Sequence, residues 1–171
     1  MSKDNLPAAL NKDDIDLIKR TVALGATDDE LRLYLLDCQR RNVHPLDGLI
    51  YFTKRKGRYV PITGIDFMRS RAAESGDMAG NDDPVFVTGK GKYPVQATAT
   101  VYRLARDGKR YAYTATARWD EYYPKEEQKG FMYRQFPCVM LGKCAEAFKY
   151  SRFSGRSRSP LYTREEMAQS E

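Results

Sequence analysis

Apolar residues recur three or four positions apart in the first part of the chain, which is the spacing of one helix face. This pattern covers residues 13–24 and stops at Gly25, a residue type that commonly closes helices. Thr27, with Glu30 three residues later, is a capping box, in which each side chain binds the other residue's backbone N–H. A second helix is therefore predicted from there to Asn42, and the two segments predict a helical hairpin.

The next part of the chain contains shorter runs with strand character. Residues 49–52 and 58–62 are rich in β-branched and aromatic side chains and predict the two strands of a hairpin. Residues 53–57, which read Thr-Lys-Arg-Lys-Gly, predict a connecting loop of high positive charge. Residues 65–75 place apolar side chains at helical spacing before Gly76 and predict a further helix.

Two longer segments alternate apolar or small residues with threonine and tyrosine. Residues 95–104 and 110–119 show this period of two, which is typical of paired strands with one buried face. Asp107-Gly108 between them is a strong hairpin signal, since that turn requires a positive φ at both central residues. Residues 85–88 predict a third strand of the same sheet, and residues 138–153 predict a long helix.

This order of elements predicts an α+β fold rather than a doubly wound α/β fold. Its parts are a helical N-terminal part, a β-hairpin plus helix, a three-stranded antiparallel meander and a long C-terminal helix. The 171 residues suit a single domain. Within it we distinguish a helical N-terminal part (1–45), an α+β core (46–155) and a basic loop with the C-terminal tail (156–171).

Composition places the chain outside several classes of protein. No apolar run approaches the roughly 20 residues of a membrane helix, and no signal peptide is visible at the start, so no membrane partner is expected. Cys38, Cys138 and Cys144 match no zinc spacing, which favours reduced thiols in a cytoplasmic compartment. The single histidine, His44, argues against Ser-His-Asp triads and histidine metal clusters.

Positive charge is concentrated in three segments that follow an acidic start. Residues 1–47 carry 7 Lys/Arg against 9 Asp/Glu, whereas residues 52–72 carry 6 against 1. Residues 88–118 carry 7 against 1, and residues 125–158 carry 8 against 3. Each run alone is equally well explained as a solvated face, but three runs interleaved with tyrosine and phenylalanine are typical of nucleic-acid-binding proteins.

Single-stranded nucleic acid fits this composition, because Lys and Arg neutralise phosphates and exposed rings stack on bases. The candidate DNA-binding residues lie on the first hairpin, the helix after it, the last helix and the loop that follows. They are Lys54, Lys56, Arg58, Arg69, Arg71, Lys143, Lys149, Arg152, Arg156 and Arg158. The candidates for base stacking, each with core packing as the alternative, are Tyr111, Tyr113, Tyr122, Tyr123 and Tyr133.

The chain carries no recognisable catalytic motif. Gly89-Lys90-Gly91 lacks the earlier glycine of a P-loop, so neither nucleotide hydrolysis nor a cofactor is predicted. Asp82 and Asp83 are adjacent on a loop and point in different directions, which does not make a metal site. Asp66 opens a helix, where capping is the simpler interpretation.

Six short motifs follow one another between residues 28 and 168. They are Asn42-Val43-His44-Pro45-Leu46 with Ile50-Tyr51-Phe52, Val60-Pro61-Ile62-Thr63-Gly64-Ile65-Asp66, Ala79-Gly80, Lys143-Cys144-Ala145-Glu146-Ala147, Arg152-Phe153, and Leu161-Tyr162-Thr163-Arg164-Glu165-Glu166-Met167. In order and spacing they resemble the RecT/Red-beta family of phage single-strand annealing recombinases. Phe67 stands where that family usually has glycine, and Phe131, Met132 and Tyr133 occupy the region of its usual tryptophan.

The resemblance implies an ATP-independent phage recombinase that binds single-stranded DNA and anneals complementary strands as an oligomeric ring or helical filament. Its partners would be single-stranded DNA, the nascent annealed duplex and further copies of itself, in the cytoplasm of a bacterial host. Mg²⁺ would at most modulate annealing. The motif positions make Arg69 and Lys143 the leading phosphate contacts, followed by Arg152. Longer relatives carry an extension that recruits a phage exonuclease and a host single-strand binding protein, and this chain is expected to lack that docking extension.

Two other functions stay open at this point. A non-annealing single-stranded DNA-binding protein would share the basic and aromatic composition and would coat DNA without accelerating pairing. A metal-dependent nuclease, which the residues support less well, would use Asp66, Asp82 or Asp83.

Overall fold

The structure, a computed structural model, describes residues 10–124, 130–154 and 162–163. It divides into two units, residues 1–64 (unit 1) and residues 65–171 (unit 2). Helices and antiparallel strands are mixed along the chain, which confirms the predicted α+β class, whereas the single-domain organisation stays a prediction. None of the helices in this described part combines the length and the apolar character that a bilayer crossing requires.

Unit 1 begins with two helices whose first turns are capped by side chains. The side chain of Asn11 caps α1 (Lys12–Thr21). The predicted capping box of α2 (Asp28–Arg40) is confirmed: the Glu30 N–H donates to the Thr27 hydroxyl at 3.2 Å, and the Thr27 N–H donates to the Glu30 carboxylate at 2.8 Å. Two of the N–H groups that a helix start leaves unpaired are thereby satisfied.

Both helices end two or three residues before the predicted limits. Gly25 has a φ of 74° and Asn42 a φ of 51°, values in the left-handed region that no helical residue adopts. The apolar spacing continued past each helix because residues in the following turn also pack inward: Ala23 and Val43 are both buried.

A tight β-hairpin completes unit 1. Its strands, β1 (Ile50–Arg55) and β2 (Arg58–Thr63), pair antiparallel along their whole length. The predicted loop over residues 53–57 is wrong, because only Lys56 and Gly57 connect the strands. Their φ values of 48° and 73° are those of a type I′ turn, whose twist matches that of the strands and lets them pair up to the tip.

An aromatic cluster joins this hairpin to α2. The ring of Tyr34, which is 0% exposed, meets Phe52 edge to face at 5.9 Å, and Phe52 stacks on Tyr59 at 5.3 Å. The Tyr34 hydroxyl donates to the carbonyls of Pro45 and Ile50. Its burial therefore leaves no unpaired donor, which would otherwise cost roughly 1–3 kcal/mol.

Unit 2 is built on an antiparallel sheet that follows a helix. The elements are α3 (Ile65–Glu74), β3 (Met78–Asn81), β4 (Val85–Thr88), β5 (Pro94–Leu104) and β6 (Arg110–Arg118). The predicted meander β4–β5–β6 is confirmed, and β3 is an additional strand. Because β6 pairs with β5 over residues 96–104, β3 and β4 must share the other edge of β5. That edge is interrupted between them at residues 82–84.

The connection between β5 and β6 differs from the predicted two-residue turn. It spans residues 105–109, and Gly108 has the only positive φ in it, 76°. The Gly108 N–H donates to the Ala105 carbonyl at 3.0 Å, and the Ala105 N–H donates to the Lys109 carbonyl at 2.9 Å. This is the three-residue hairpin loop in which a turn is followed by one left-handed residue. It requires a positive φ at one position, Gly108, whereas the predicted two-residue turn requires a positive φ at two positions.

Helices cover one face of this sheet. They are the short α4 (Trp119–Tyr122) and α5 (Phe131–Gln135) and the long α6 (Pro137–Ser154), and a two-residue strand, β7 (Tyr162–Thr163), follows. The buried positions of β5 and β6 alternate and are mostly alanine, which allows α6 to approach the sheet closely. These core residues of the sheet are Ala97, Ala99, Val101, Ala115 and Ala117.

The single tryptophan of the chain lies in unit 2. Trp119 stacks on Tyr93 with ring centroids 4.7 Å apart and on Tyr123 at 5.3 Å. It also packs against the core formed by α6 and the sheet. Aromatic stacking of this kind adds about 0.5–1.5 kcal/mol per pair beyond area burial.

Candidate nucleic-acid interface

In unit 1, the type I′ turn places the predicted cations at the tip of the hairpin. Lys56 and Arg58 are exposed, and their side chains make no ion pair within the described residues. Lys54 is different, because its ammonium contacts the Glu30 carboxylate at 2.6 Å. This hydrogen bond holds the pKa of Glu30 below its ordinary value. The tip thus presents two available positive charges, and Lys54 is already neutralised.

In unit 2, Arg69 on α3 is the centre of an ion-pair network. Its Nε and Nη2 donate to the two carboxylate oxygens of Glu146 on α6, at 2.9 and 2.7 Å. Its Nη1 donates to Asp66, one turn earlier on α3, at 2.8 Å. The bonds to Glu146 are the main cause that raises the pKa of Arg69 above its usual range. Two of the motifs that led to the family resemblance, around Asp66 and Glu146, are therefore joined through Arg69.

Lys149, another predicted DNA contact, is buried at 1% exposure. Its ammonium donates to the Thr100 carbonyl at 3.5 Å, the same carbonyl that accepts from the Asp82 N–H in the gap between β3 and β4. Burial lowers the pKa of Lys149, while Glu146 nearby favours its charged form. In the free protein Lys149 therefore faces the sheet rather than solvent, and DNA contact by this residue stays a prediction.

A cavity of about 460 Å³ lies beside this lysine in unit 2. Charged side chains of both signs line it: Arg69, Lys149, Glu146, Asp82 and Asp83. The apolar and amide part of its wall consists of Ala73, Met78, Asn81, Pro84 and Tyr150. Asp82 also accepts a hydrogen bond from the Tyr102 hydroxyl at 2.7 Å, so the carboxylate is held in place.

The remaining predicted cations of unit 2 differ in availability. Arg71 pairs with Glu74 at 2.8 Å, and Arg152 donates to the Thr114 carbonyl of β6 at 2.7 Å. Lys143 is half-buried on α6 and has no ion-pair partner in the part of the chain that the structure describes. Arg156 and Arg158 lie outside the described residues. DNA contact by any of these residues stays a prediction.

The aromatic candidates separate into core and surface residues. Tyr122 and Tyr133, at 7% and 2% exposure, belong to the core of unit 2, which agrees with the core-packing alternative for these two residues. Tyr113 is half-buried against Phe153, and Tyr123 stacks on Trp119. Tyr111 is exposed, and its hydroxyl donates to Asp107.

The exposure of several apolar residues around the start of α6 was not predicted from the sequence. They are Phe131, Met132, Phe136 and Val139, each between 44% and 58% exposed. Val139 and Lys143 lie four residues apart and share one face of the helix. The sequence signal for this patch was the group of large apolar residues before Pro137. Hydrophobicity alone would place such residues in the core.

Carboxylates do not converge into a recognisable metal centre in the described ranges. Among those residues, no group of three or more His, Cys, Asp or Glu side chains is arranged to hold a metal ion. Asp66 lies within the first turn of α3 and pairs with Arg69 rather than capping the helix through a side-chain bond to the backbone. The nuclease alternative thus gains no support from the geometry of its three candidate residues.

Comparison with known proteins gives one clear result. A model of the RecT family matches residues 8–171. No curated protein matches the chain. The family model covers nearly the whole chain and all of the motifs noted in the sequence. RecT proteins act in phage DNA recombination by single-strand annealing, and this chain belongs to the RecT family.

Proposed function

We propose that this protein binds single-stranded DNA and anneals complementary strands without hydrolysing nucleotides, as a homo-oligomer in the cytoplasm of a bacterial host. The observation that carries the proposal is the family match over residues 8–171. Annealing needs no external energy source, because each stacked base-pair step contributes about 1.4 kcal/mol on average. The protein has only to hold strands with their bases accessible.

The distribution of available cations supports phosphate binding and ranks the contacts. Lys56 and Arg58 on unit 1 and Lys143 on unit 2 have no ion-pair partner within the described residues. Lys54, Arg69 and Arg71, by contrast, are each held by a carboxylate. Among the predicted contacts, we therefore assign the first ones to these three cations. Backbone phosphate contacts of this kind bind without regard to sequence, which leaves specificity to base pairing.

We further propose that no resident cofactor takes part. Nothing in the reaction requires ATP, and Mg²⁺ would act by screening phosphate repulsion between the two strands. A ring or a helical filament of subunits is the oligomer expected from the family.

The test is the annealing of two complementary oligonucleotides that carry a donor and an acceptor dye, without ATP. Lys143→Ala is the informative variant, because it removes a cation that no described carboxylate holds. We expect annealing to be faster than in the protein-free control, and about fivefold slower with Lys143→Ala than with the parent chain, as for the loss of about 1 kcal/mol. Arg69→Ala is less informative, since it also leaves buried Glu146 without its partner.

Lys109→Ala is the matched control, since it removes the same charge from an exposed site in the loop between β5 and β6. Strand binding without acceleration would identify a coating protein instead of an annealing protein. Shortened oligonucleotides that appear only with Mg²⁺ would identify a nuclease. Equal slowing by Lys143→Ala and Lys109→Ala would overturn the assignment of Lys143.

A further inference from the structure

The Arg69–Glu146 pair has the geometry of an arginine bound to an anion. The two carboxylate oxygens of Glu146 accept from Nε and Nη2 at 2.9 and 2.7 Å. A DNA phosphate presents two oxygens to the same edge of a guanidinium. The Glu146 side chain is 11% exposed, whereas that of Arg69 is 46% exposed. Solvent, and a ligand, can therefore reach the cation that Glu146 holds.

The surrounding charge opposes an anion that approaches from the cavity. Arg69 and Lys149 supply two positive charges to the cavity wall, while Asp82, Asp83 and Glu146 supply three negative charges. Asp66, which pairs with Arg69, adds a fourth. A phosphate that contacts Arg69 must therefore displace one carboxylate and overcome the repulsion of others.

We infer that Glu146 sets the strength of DNA binding at this site, by occupying in the free protein the edge of Arg69 that a backbone phosphate occupies in the complex. The inference rests on the proposed function, because it requires that the chain binds single-stranded DNA. Competition of this kind weakens the contact and speeds strand release. A strand that is released and rebound readily can test alternative registers before it pairs, which an annealing protein needs.

Glu146→Gln tests this directly. Glutamine keeps the shape of the side chain and one acceptor for Arg69 but removes the charge. We expect the variant to bind a single-stranded oligonucleotide about fivefold more tightly than the parent chain, through slower dissociation. Glu121→Gln is the matched control, because it removes the same charge from another Arg–Glu pair of unit 2, the pair with Arg118 at 3.4 Å. This control should change affinity less than twofold.

A second comparison locates the effect at Arg69. In an Arg69→Met background, the Glu146→Gln substitution should no longer tighten DNA binding, because the guanidinium for which Glu146 and phosphate compete is absent. Persistent tightening in that background would overturn the inference in favour of a general electrostatic effect. A lower melting temperature together with weaker binding for Glu146→Gln would show instead that Glu146 only holds α3 against α6.

The failure of this inference is distinguishable from that of the proposed function. If the parent chain anneals oligonucleotides but Glu146→Gln binds no more tightly than Glu121→Gln, the inference alone is wrong. If the parent chain does not bind single-stranded DNA, both fail together.

Discussion

Lys149 shows how a residue's environment can differ from the one its sequence position indicates. A lysine three residues after Glu146 on a helix reads as a solvent-facing charge. In the structure, α6 is buried on more than one side, because the sheet and α3 both pack against it. The buried residues of this helix include Leu141, Cys144, Ala145, Glu146, Ala147, Lys149, Tyr150 and Phe153. Periodicity identifies one apolar face and cannot reveal a second contact surface.

Replacing Lys149 with methionine should leave stability unchanged or raise it by up to about 2 kcal/mol at pH 7. Burial lowers the pKa of Lys149 below its ordinary value of 10.5, so the charged form opposes folding at pH values below the folded-state pKa. That cost fades as pH rises through the folded pKa towards 10.5. Thermal unfolding at pH 7 and at pH 10 should therefore show the largest gain at pH 7.

Lys143→Met, which removes the same charge from a half-buried position of α6, is the matched control. A Lys149→Met variant that melts below the parent chain at pH 7 would contradict this account. In that case the bond of the Lys149 ammonium to the Thr100 carbonyl and its attraction to Glu146 would outweigh the cost of burying the charge.

The three cysteines should differ in reactivity. Cys38 and Cys144 are buried and Cys138 is exposed, and burial raises the pKa of Cys38 to about 11. Because the thiolate is the nucleophile, an alkylating reagent at pH 7.5 should modify Cys138 first. Mass spectrometry should find one modified thiol in the folded protein and three in urea. Rapid modification of Cys38 in the folded protein would contradict the buried position.

At the scale of single elements, the differences between the predicted and the observed structure lie mainly in the turns. The start of α2 was predictable, because Thr27 and Glu30 form a local signal whose partners are three residues apart. The hairpin turns were not, since the positive-φ pair lies at Lys56-Gly57 rather than at Asp107-Gly108. Strand β3 escaped prediction because its sequence, Met-Ala-Gly-Asn, has low strand propensity and forms by pairing with β5.

Gly108→Ala should destabilise unit 2 by about 1 kcal/mol, because alanine is strained at the φ of 76° that this loop requires. Gly91→Ala is a suitable comparison in another loop of the same unit. A Cβ at either position meets nothing within 4 Å, and no positive φ is found at Gly91. This second change should be neutral or slightly stabilising. Equal melting temperatures for the two variants would show that loop strain does not limit stability.

At the scale of the whole molecule, the sequence indicated the fold class and the family better than it indicated the contacts between residues. Antiparallel pairing and α+β order follow from local patterns, and positive charge follows from composition. Ion pairing does not, because Arg69 and Glu146 are 77 residues apart in sequence. Four of the eight predicted cations within the described ranges are held by carboxylates or buried: Lys54, Arg69, Arg71 and Lys149.

This pairing limits the salt dependence expected of DNA binding. Contacts by Lys56, Arg58, Lys143 and the displaceable Arg69 correspond to a slope of about −3 in log K against log salt for each subunit. All ten predicted cations would give a slope of about −7. Binding of a short oligonucleotide should be measured between roughly 50 and 200 mM salt, a range over which such contacts change the affinity by orders of magnitude. A slope near about −7 would show that the other six predicted cations also bind phosphate; they are Lys54, Arg71, Lys149, Arg152, Arg156 and Arg158.

The position of Trp119 gives the protein an internal optical probe. Tryptophan emission originates in unit 2 alone, since the chain has one tryptophan, whereas circular dichroism reports the helices and strands of both units. If residues 1–64 and 65–171 melt independently, the two signals will have different midpoints. A shared midpoint would mean that the chain unfolds as one cooperative system.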